Sequence, residues 1–150
     1  MDRITNRIFI GNIDDGNNKD MLLDNNIDAV LCVARERNAS WPDQCDPENI
    51  DIEYHKVGLD MADNINTPNQ WLACVSVIDQ MMDRNRNLLV FCHAGAQRAP
   101  SVVSLYLSII KNWSMKDSYE FVKSSRSQTD PWPQHIEETN AALKQYRATE

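Results

Sequence analysis

The feature that most constrains this chain is the unbroken passage from Leu88 to Ile110: LLVF, then CHAGAQR, then APSVVSLYLSII. Four consecutive apolar residues, Leu88, Leu89, Val90 and Phe91, read as a strand buried on both faces, as in the interior of a parallel sheet. The residues after them predict a helix that is apolar around most of its circumference and therefore buried. Val102, Val103, Leu105, Tyr106, Leu107, Ile109 and Ile110 carry that pattern. Pro100 suits the first helical turn, where its missing N–H leaves nothing unpaired. A loop leading from a buried strand straight into a helix turns backbone N–H groups toward its mouth, which makes an anion site.

The residues of that loop decide its chemistry. Cys92 opens it and Arg98 lies six positions on, a Cys-x5-Arg spacing. Loop N–H groups, a helix N-terminus and a guanidinium together favour a thiolate over a thiol. Arg98 can grip a phosphate through two parallel hydrogen bonds. Gly95 permits a tight turn or a close approach of backbone to an oxyanion. A thiolate beneath a phosphate cradle faces phosphorus as a nucleophile, which points to covalent catalysis through a cysteinyl-phosphate. The plainer alternative is a buried structural Cys with an incidental Arg.

These residues resemble the signature loop of the cysteine-based protein tyrosine phosphatases, and Ala94-Gly95 and Arg98-Ala99-Pro100-Ser101 resemble its dual-specificity branch. The resemblance implies an α/β fold of the protein tyrosine phosphatase-like, dual-specificity type, with a central, mainly parallel sheet flanked by helices. It implies Cys92 as nucleophile and Arg98 as phosphate clamp. His93, Ala94, Gly95, Ala96 and Gln97 would then offer backbone N–H groups to the phosphate oxygens. Two residues depart from the family's pattern. Phe91 stands where a His usually orders the loop, and Ala99 stands where a Ser or Thr hydroxyl usually assists departure of the thiolate. The second departure implies slow hydrolysis of the phospho-enzyme, or a protein that binds phosphate better than it turns it over.

A phosphatase also needs an acid to protonate the leaving oxygen, best carried on a loop over the nucleophile. Ile50, Ile52 and Tyr54 alternate with Asp51, Glu53 and His55, which predicts a half-buried strand from Ile50 to Val57. It runs into Gly58-Leu59-Asp60-Met61-Ala62-Asp63-Asn64, where Asp60 and Asp63 are both candidates. Asp60 lies 32 positions before Cys92 and directly after the strand, which resembles the family's spacing, so it is preferred. Asp63 can also be laid on the family's acid, and either could instead be a turn or cap carboxylate.

The rest of the chain predicts one α/β unit. A first strand spans Arg7 to Ile10, a polar connection runs from Asp14 to Asn18, a short helix covers Lys19–Asp24, and a central strand spans Ala29 to Val33. The polar stretch from Ala34 to Asn49 is either a surface excursion or a rim of the site. As a rim, Trp41 would stack on an aromatic substrate and Arg35 or Arg37 would meet a second anionic group. As an excursion, Trp41 covers the core edge and the arginines sit in solvent. Thr67-Pro68-Asn69-Gln70 is a capping box with Pro at the first position, opening a helix with Trp71, Val75, Ile78 and Met82 inward. Ser114 opens another, with Met115, Tyr119 and Val122 inward. Pro131-Trp132-Pro133 starts the last helix, with Ile136, Leu143 and Tyr146 on its inner face and His135 at the surface. Trp132 or Gln134 then either lines the pocket or covers the core.

Composition bounds what remains. The 150 residues give room for one sizeable core, so a single catalytic domain over 1–150 is expected. A net charge of −7 argues against a nucleic-acid-binding surface while allowing one local positive pocket. No apolar run reaches membrane-span length and no signal-peptide core follows Met1. Four irregularly spaced cysteines (Cys32, Cys45, Cys74, Cys92) fit reduced thiols in a cytoplasmic setting. The three histidines (His55, His93, His135) lack ligand-like spacing, so no metal or other cofactor is expected.

The resulting expectation is a monomeric hydrolase acting on phosphorylated proteins, at phosphotyrosine and also at phosphoserine or phosphothreonine. A protein substrate is favoured because the loop carries no Lys. Two rivals remain. A pseudophosphatase that binds phosphate with weak or no turnover is supported by Phe91 and Ala99. A rhodanese-type sulfurtransferase also uses a Cys-led loop, and it would need no acid at Asp60 or Asp63.

Overall fold

The two continuous apolar runs become the inner strands of the sheet. In the computed structural model, which describes residues 1–44, 52–61 and 64–149, β3 (Ala29–Ala34) and β5 (Leu88–Phe91) are buried at every position. They pair in parallel, Ala29 opposite Leu88 and Cys32 opposite Phe91. β2 (Ile8–Gly11) pairs in parallel with the other side of β5. β4 (Glu53–Leu59) pairs in parallel with β3 and is half-buried at six consecutive positions, an edge strand without sharp alternation between its faces. A two-residue strand, β1 (Asp2–Arg3), adds antiparallel to β2, giving the order β1-β2-β5-β3-β4. β1 is too short to leave a periodic signal, and the sequence reading missed it.

Strand order decides where a ligand goes. β5 comes late in the chain but lies between β2 and β3. The winding direction therefore changes at β5, and the carboxyl ends of such neighbours open a crevice. Cys92 follows the last residue of β5 directly.

Among the described residues, six α-helices accompany the sheet: α1 (Ile13–Asn17), α2 (Lys19–Asp24), α3 (Pro68–Asp83), α4 (Arg98–Lys111), α5 (Met115–Ser125) and α6 (Pro133–Ala148). α1 replaces the expected polar connection. Asn12 accepts the Asp15 N–H at 2.9 Å while the Asp15 carboxylate accepts the Asn12 N–H at 3.0 Å, a reciprocal box that nucleates one turn. The Thr67–Gln70 box at the start of α3 forms as read. Trp71, Val75 and Ile78 face inward with Cys74 and Met81, whereas Met82 is only partly buried. α4 is buried from Arg98 through Ser108, and Ile110 emerges at its end. In α5, Met115, Tyr119 and Val122 are buried as expected.

α6 corrects the sequence reading. Its buried face is His135, Glu138, Thr139, Ala142 and Leu143, and Ile136 faces outward. His135, expected at the surface, is fully buried. The Trp132 ring stacks on it at 5.7 Å and Trp71 meets it edge-on at 5.6 Å, so two large aromatic faces bring the imidazole inside. The strand expected from Ile50 begins at Glu53, and Ile50 and Asp51 lie outside the described residues.

Trp41 belongs to the core edge rather than a substrate rim. It lies in a 3-10 turn (Trp41–Gln44), donates its indole N–H to the Gly16 carbonyl at 2.9 Å and packs edge-on against Tyr54. Cys32 and Cys74 are free and buried, as read, and Cys45 lies outside the described residues. Burial pushes the Cys74 thiol well up from its ordinary range. Among the described residues, no helix is long and apolar enough to cross a membrane.

Candidate active site

The loop after β5 is shaped by where its carbonyls go. The His93 carbonyl accepts the N–H of Ile13, the first residue of α1, at 3.0 Å. The Gly95 carbonyl accepts Nε of Arg126 at 2.7 Å. The Ala96 carbonyl accepts the N–H of Asp130 at 2.8 Å, and the Gln97 carbonyl accepts both the N–H and the hydroxyl of Ser101. A trans peptide sets its N–H opposite its C=O, so these four bonded carbonyls turn the N–H groups of Ala94, Ala96, Gln97 and Arg98 away from their partners. Among the described residues, the N–H groups of 93–97 meet no protein acceptor. Converging N–H donors at the start of a buried helix make a seat for an anion.

Gly95 is required twice over. Its φ is +67°, and a Cβ there would lie 2.5 Å from an Arg126 guanidinium nitrogen and 2.6 Å from the Gly11 carbonyl oxygen. Arg126 was not anticipated from the sequence. It caps α5, is almost fully buried, and bonds the Ile10 carbonyl at 3.3 Å and the Asp2 carboxylate at 2.8 Å as well as Gly95. One guanidinium thus ties β1, β2 and the phosphate-type loop together.

Phe91 does not leave the loop disordered. Its ring lies beneath α1, so close that a Cβ on Gly16 would come within 2.7 Å of it. Packing against α1, together with the Ile13-to-His93 bond, supplies order that does not depend on a histidine. Cys92 is buried, and its Sγ receives the N–H of Ala99 at 3.4 Å from the first turn of α4. Ser101, the nearest hydroxyl in sequence after Ala99, is bound to the Gln97 carbonyl at 2.6 Å.

Arg98 is held with one edge reserved. Its Nη1 and Nη2 meet the two carboxylate oxygens of Glu36 end-on at 2.6 and 2.7 Å, and Nη1 also donates to the Leu59 carbonyl at 2.9 Å. The remaining edge, Nε with the second Nη2 hydrogen, presents two parallel donors. Nε is buried and, among the described residues, makes no hydrogen bond. That side-on edge has the geometry for a bidentate phosphate contact. The Arg98 guanidinium holds the Glu36 carboxyl down at about 2.

Glu36 belongs to a turn whose three successive side chains all reach the site. Arg35 Nε pairs with Asp60 Oδ1 at 2.6 Å, Glu36 pairs with Arg98, and Arg37 Nε bonds His93 Nδ1 at 3.1 Å. Lys56 of β4 organises the turn from below, donating to the carbonyls of Arg35 and Arg37 and to Asn38 Oδ1. Arg35 and Arg37 thus border the loop and the Asp60 segment, whereas Trp41 lies at the core edge. Glu36 was missed because a Glu between two arginines reads as a solvated charge run.

Asp60 follows β4 directly, next to the Leu59 carbonyl that holds Arg98. Its backbone is clasped by Asn66, whose Oδ1 accepts the Asp60 N–H at 2.7 Å and whose Nδ2 donates to the Asp60 carbonyl at 3.0 Å. Asp63 lies outside the described residues. Gln134 reaches the Asn64 carbonyl at 2.9 Å, and Trp132 covers His135. Beside this segment Ile65, Asn66, Pro68, Pro133 and Gln134 line a cleft of about 500 Å³.

The fold and this loop define a protein tyrosine phosphatase-like α/β protein. Residues 8–145 match the dual specificity phosphatase catalytic domain, and the chain belongs to that family. It is 29% identical over 136 residues to dual specificity protein phosphatase 1B of Arabidopsis thaliana, covering 91% of this chain and 77% of that protein. Identity to dual specificity protein phosphatase 1 of the same plant is 25%, over 83% of this chain and 59% of the relative. Human DUSP28 has the same fold with a TM-score of 0.85 over the whole of both chains, at 15% identity. A human tyrosine phosphatase-like serine/threonine/tyrosine-interacting protein matches with a TM-score of 0.77, covering 99% of this chain and 96% of that one at 19% identity.

Proposed function

We propose that this chain hydrolyses phosphomonoesters on proteins, at phosphotyrosine and at phosphoserine or phosphothreonine, through a phosphocysteine. One observation supports the reading: among the described residues, Arg98 Nε makes no hydrogen bond while its other guanidinium contacts go to Glu36 and Leu59, in the same loop whose 93–97 N–H groups meet no protein acceptor. Membership of the dual specificity phosphatase family supports the same substrate class.

In this mechanism the Cys92 thiolate attacks phosphorus in line. The S–P bond forms as the P–O bond to the tyrosine, serine or threonine oxygen breaks, and that oxygen takes a proton from Asp60. His93, Ala94, Gly95, Ala96 and Gln97 supply backbone N–H groups to the equatorial oxygens, and Arg98 supplies two more donors. Water then cleaves the S–P bond, giving its proton to the Asp60 carboxylate and releasing inorganic phosphate and the thiolate. Ala99 offers no hydroxyl to the departing sulfur, so the second step is slow. No step needs a metal, because the donors around the phosphate already carry the compensating charge.

Rapid-mix hydrolysis of 4-nitrophenyl phosphate tests the reading. The native chain gives a burst of nitrophenol equivalent to the enzyme, followed by slower turnover, and Cys92→Ser abolishes both, a loss on the order of 10⁴-fold or more. A chain with no burst and no turnover, whose Cys92 is still protected from alkylation by inorganic phosphate, is a phosphate-binding module instead. Loading of Cys92 by thiosulfate but not by an aryl phosphate would identify a sulfurtransferase.

A further inference from the structure

We infer that Glu138 is the positioning residue of the acid segment, holding Asp60 in place through Asn66; the inference rests on the phosphatase reading above, with Asp60 as the acid. Glu138 lies on the buried face of α6, with little exposure and no cation among its hydrogen-bond partners. Four N–H groups converge on it instead. Oε1 accepts from Asn66 Nδ2 and Trp71 Nε1, both at 3.1 Å. Oε2 accepts from the Asn66 backbone N–H at 3.0 Å and from Gln134 Nε2 at 2.9 Å. Two donors on each oxygen require a group that accepts on both sides, which a carboxylate does and an amide does not. Whichever way a glutamine were turned, its NH2 would face two donors.

The purpose of so costly a buried group lies one residue further on. Half of the four donors belong to Asn66, and the same Asn66 closes both backbone groups of Asp60. Both Nδ2 hydrogens are used, one on Glu138 and one on Asp60, so the chain from α6 to the acid is continuous and saturated. The Asp60 side chain is otherwise held by Arg35, whose side chain is 55% exposed. The Asp60 end of that pair is 19% exposed, so the pair is only partly screened. The brace fixes the backbone from which the carboxyl projects, and the ion pair then orients the carboxyl. A misplacement of about 1 Å in a reacting group costs on the order of 10²-fold in rate.

A general acid matters most when the leaving oxygen is basic, so leaving-group dependence separates loss of aim from loss of fold. kcat/KM is measured for phenyl phosphate and for 2,4-dinitrophenyl phosphate with the native chain, Asp60→Asn, Glu138→Gln and Asn66→Ala. This parameter covers only formation of the phosphocysteine, so a slow second step does not mask it. Asp60→Asn is expected to lose about 10²-fold or more on phenyl phosphate and far less on the dinitrophenyl ester. Glu138→Gln and Asn66→Ala are each expected to lose about 10-fold on phenyl phosphate and under about threefold on the other ester, a fraction of what the acid supplies. Protection of Cys92 from alkylation by phosphate stays at the native concentration in both. Should Glu138→Gln not fold, Asn66→Ala decides alone. Equal losses on the two esters in the brace variants, with Asp60→Asn behaving as expected, overturn this inference and leave the phosphatase reading standing. A flat response in Asp60→Asn removes Asp60 as acid and the inference with it, and absence of Cys92-dependent hydrolysis removes both.

Discussion

The loop from Cys92 to Arg98 is tied through its backbone carbonyls by several elements, whereas the described residues of the acid segment are tied mainly by side chains, with Asn66 at their centre. The loop's carbonyls are bonded to the start of α1, to Arg126 at the end of α5, to Asp130 before α6 and to Ser101 within α4. Among the described residues of the acid segment, Asn66 closes the Asp60 backbone and leans on Glu138, Arg35 pairs with the Asp60 carboxylate and Gln134 meets the Asn64 carbonyl. The difference follows from what each must do. A phosphate seat would have to aim several N–H groups at once, which calls for a backbone tied at most of its carbonyls. An acid would have to aim one side chain, which a few side-chain contacts can do. Redundancy should therefore make the loop tolerant of losing a side-chain contact but intolerant of any change in its backbone.

Gly95→Ala tests that intolerance most severely. It places a methyl group 2.6 Å from the Gly11 carbonyl oxygen at a φ of +67°, so the loop must move. Strain and overlap together predict a loss of about 2–4 kcal/mol in unfolding free energy, and on the order of 10²-fold in kcat/KM. Urea unfolding and steady-state kinetics on one preparation check both. A kinetic loss with unchanged stability would mean the loop is softer than its bonding suggests.

Glu36→Gln is expected to act more gently. The amide turns an NH2 toward Arg98, losing one charge-assisted bond while the Leu59 carbonyl still holds Nη1. A rise of about 10-fold in the phosphate concentration needed to protect Cys92 is predicted, from the loss of roughly 1.5 kcal/mol of aim. Stability changes by under about 1 kcal/mol, because half of Glu36 faces water. With its carboxyl held at about 2, the Glu36–Arg98 pair persists as pH falls below the ordinary carboxylate value of 4.5, and weakens only toward pH 2. An acid limb in the native kcat/KM profile above pH 4 therefore belongs to another group.

The smallest effect concerns the packing behind the acid segment. His135 is fully buried between Trp71 and Trp132, and neither ring nitrogen has a hydrogen-bond partner of good geometry. Burial holds its pKa below the ordinary 6.5, with Arg98 acting in the same direction and with Glu138 and the Asp60 backbone acting in the other. A depressed folded-state value means stability is complete above 6.5 and declines as pH falls, because the unfolded chain takes up the proton first. His135→Phe keeps both aromatic contacts and should flatten that decline, which amounts to at most about 1.4 kcal/mol per pH unit. Urea midpoints at pH 7.5 and pH 5.5 read it. An unchanged decline would assign the pH dependence to other groups.

How much of this was legible depended on whether the cause was local. The strand, the loop, the capping box at Thr67, the cap at Ser114 and the buried face of α4 are each written in neighbouring residues, and each formed. α1 was missed because its box uses Asn and Asp, which also read as a turn. His135 was misplaced because helical spacing alone could not show that Trp71, 64 positions earlier, would cover it. Spacing did hold a clue to Glu138, which falls on the same helical face as His135 and Ala142.

By itself the sequence determined a buried strand, a Cys-led loop and a buried helix, and with them the expectation of an anion seat at the end of a sheet. Those are consequences of periodicity, glycine and chain direction, which act over a few residues. Only the tertiary structure decided which groups complete the seat: Glu36 behind Arg98, Arg126 beneath Gly95, and Glu138 behind Asn66. Each is a charged side chain whose partner lies 31 to 72 positions away. In the linear chain such residues look like ordinary solvated charges. Burial is what makes their hydrogen bonds obligatory, and burial is a property of the whole fold.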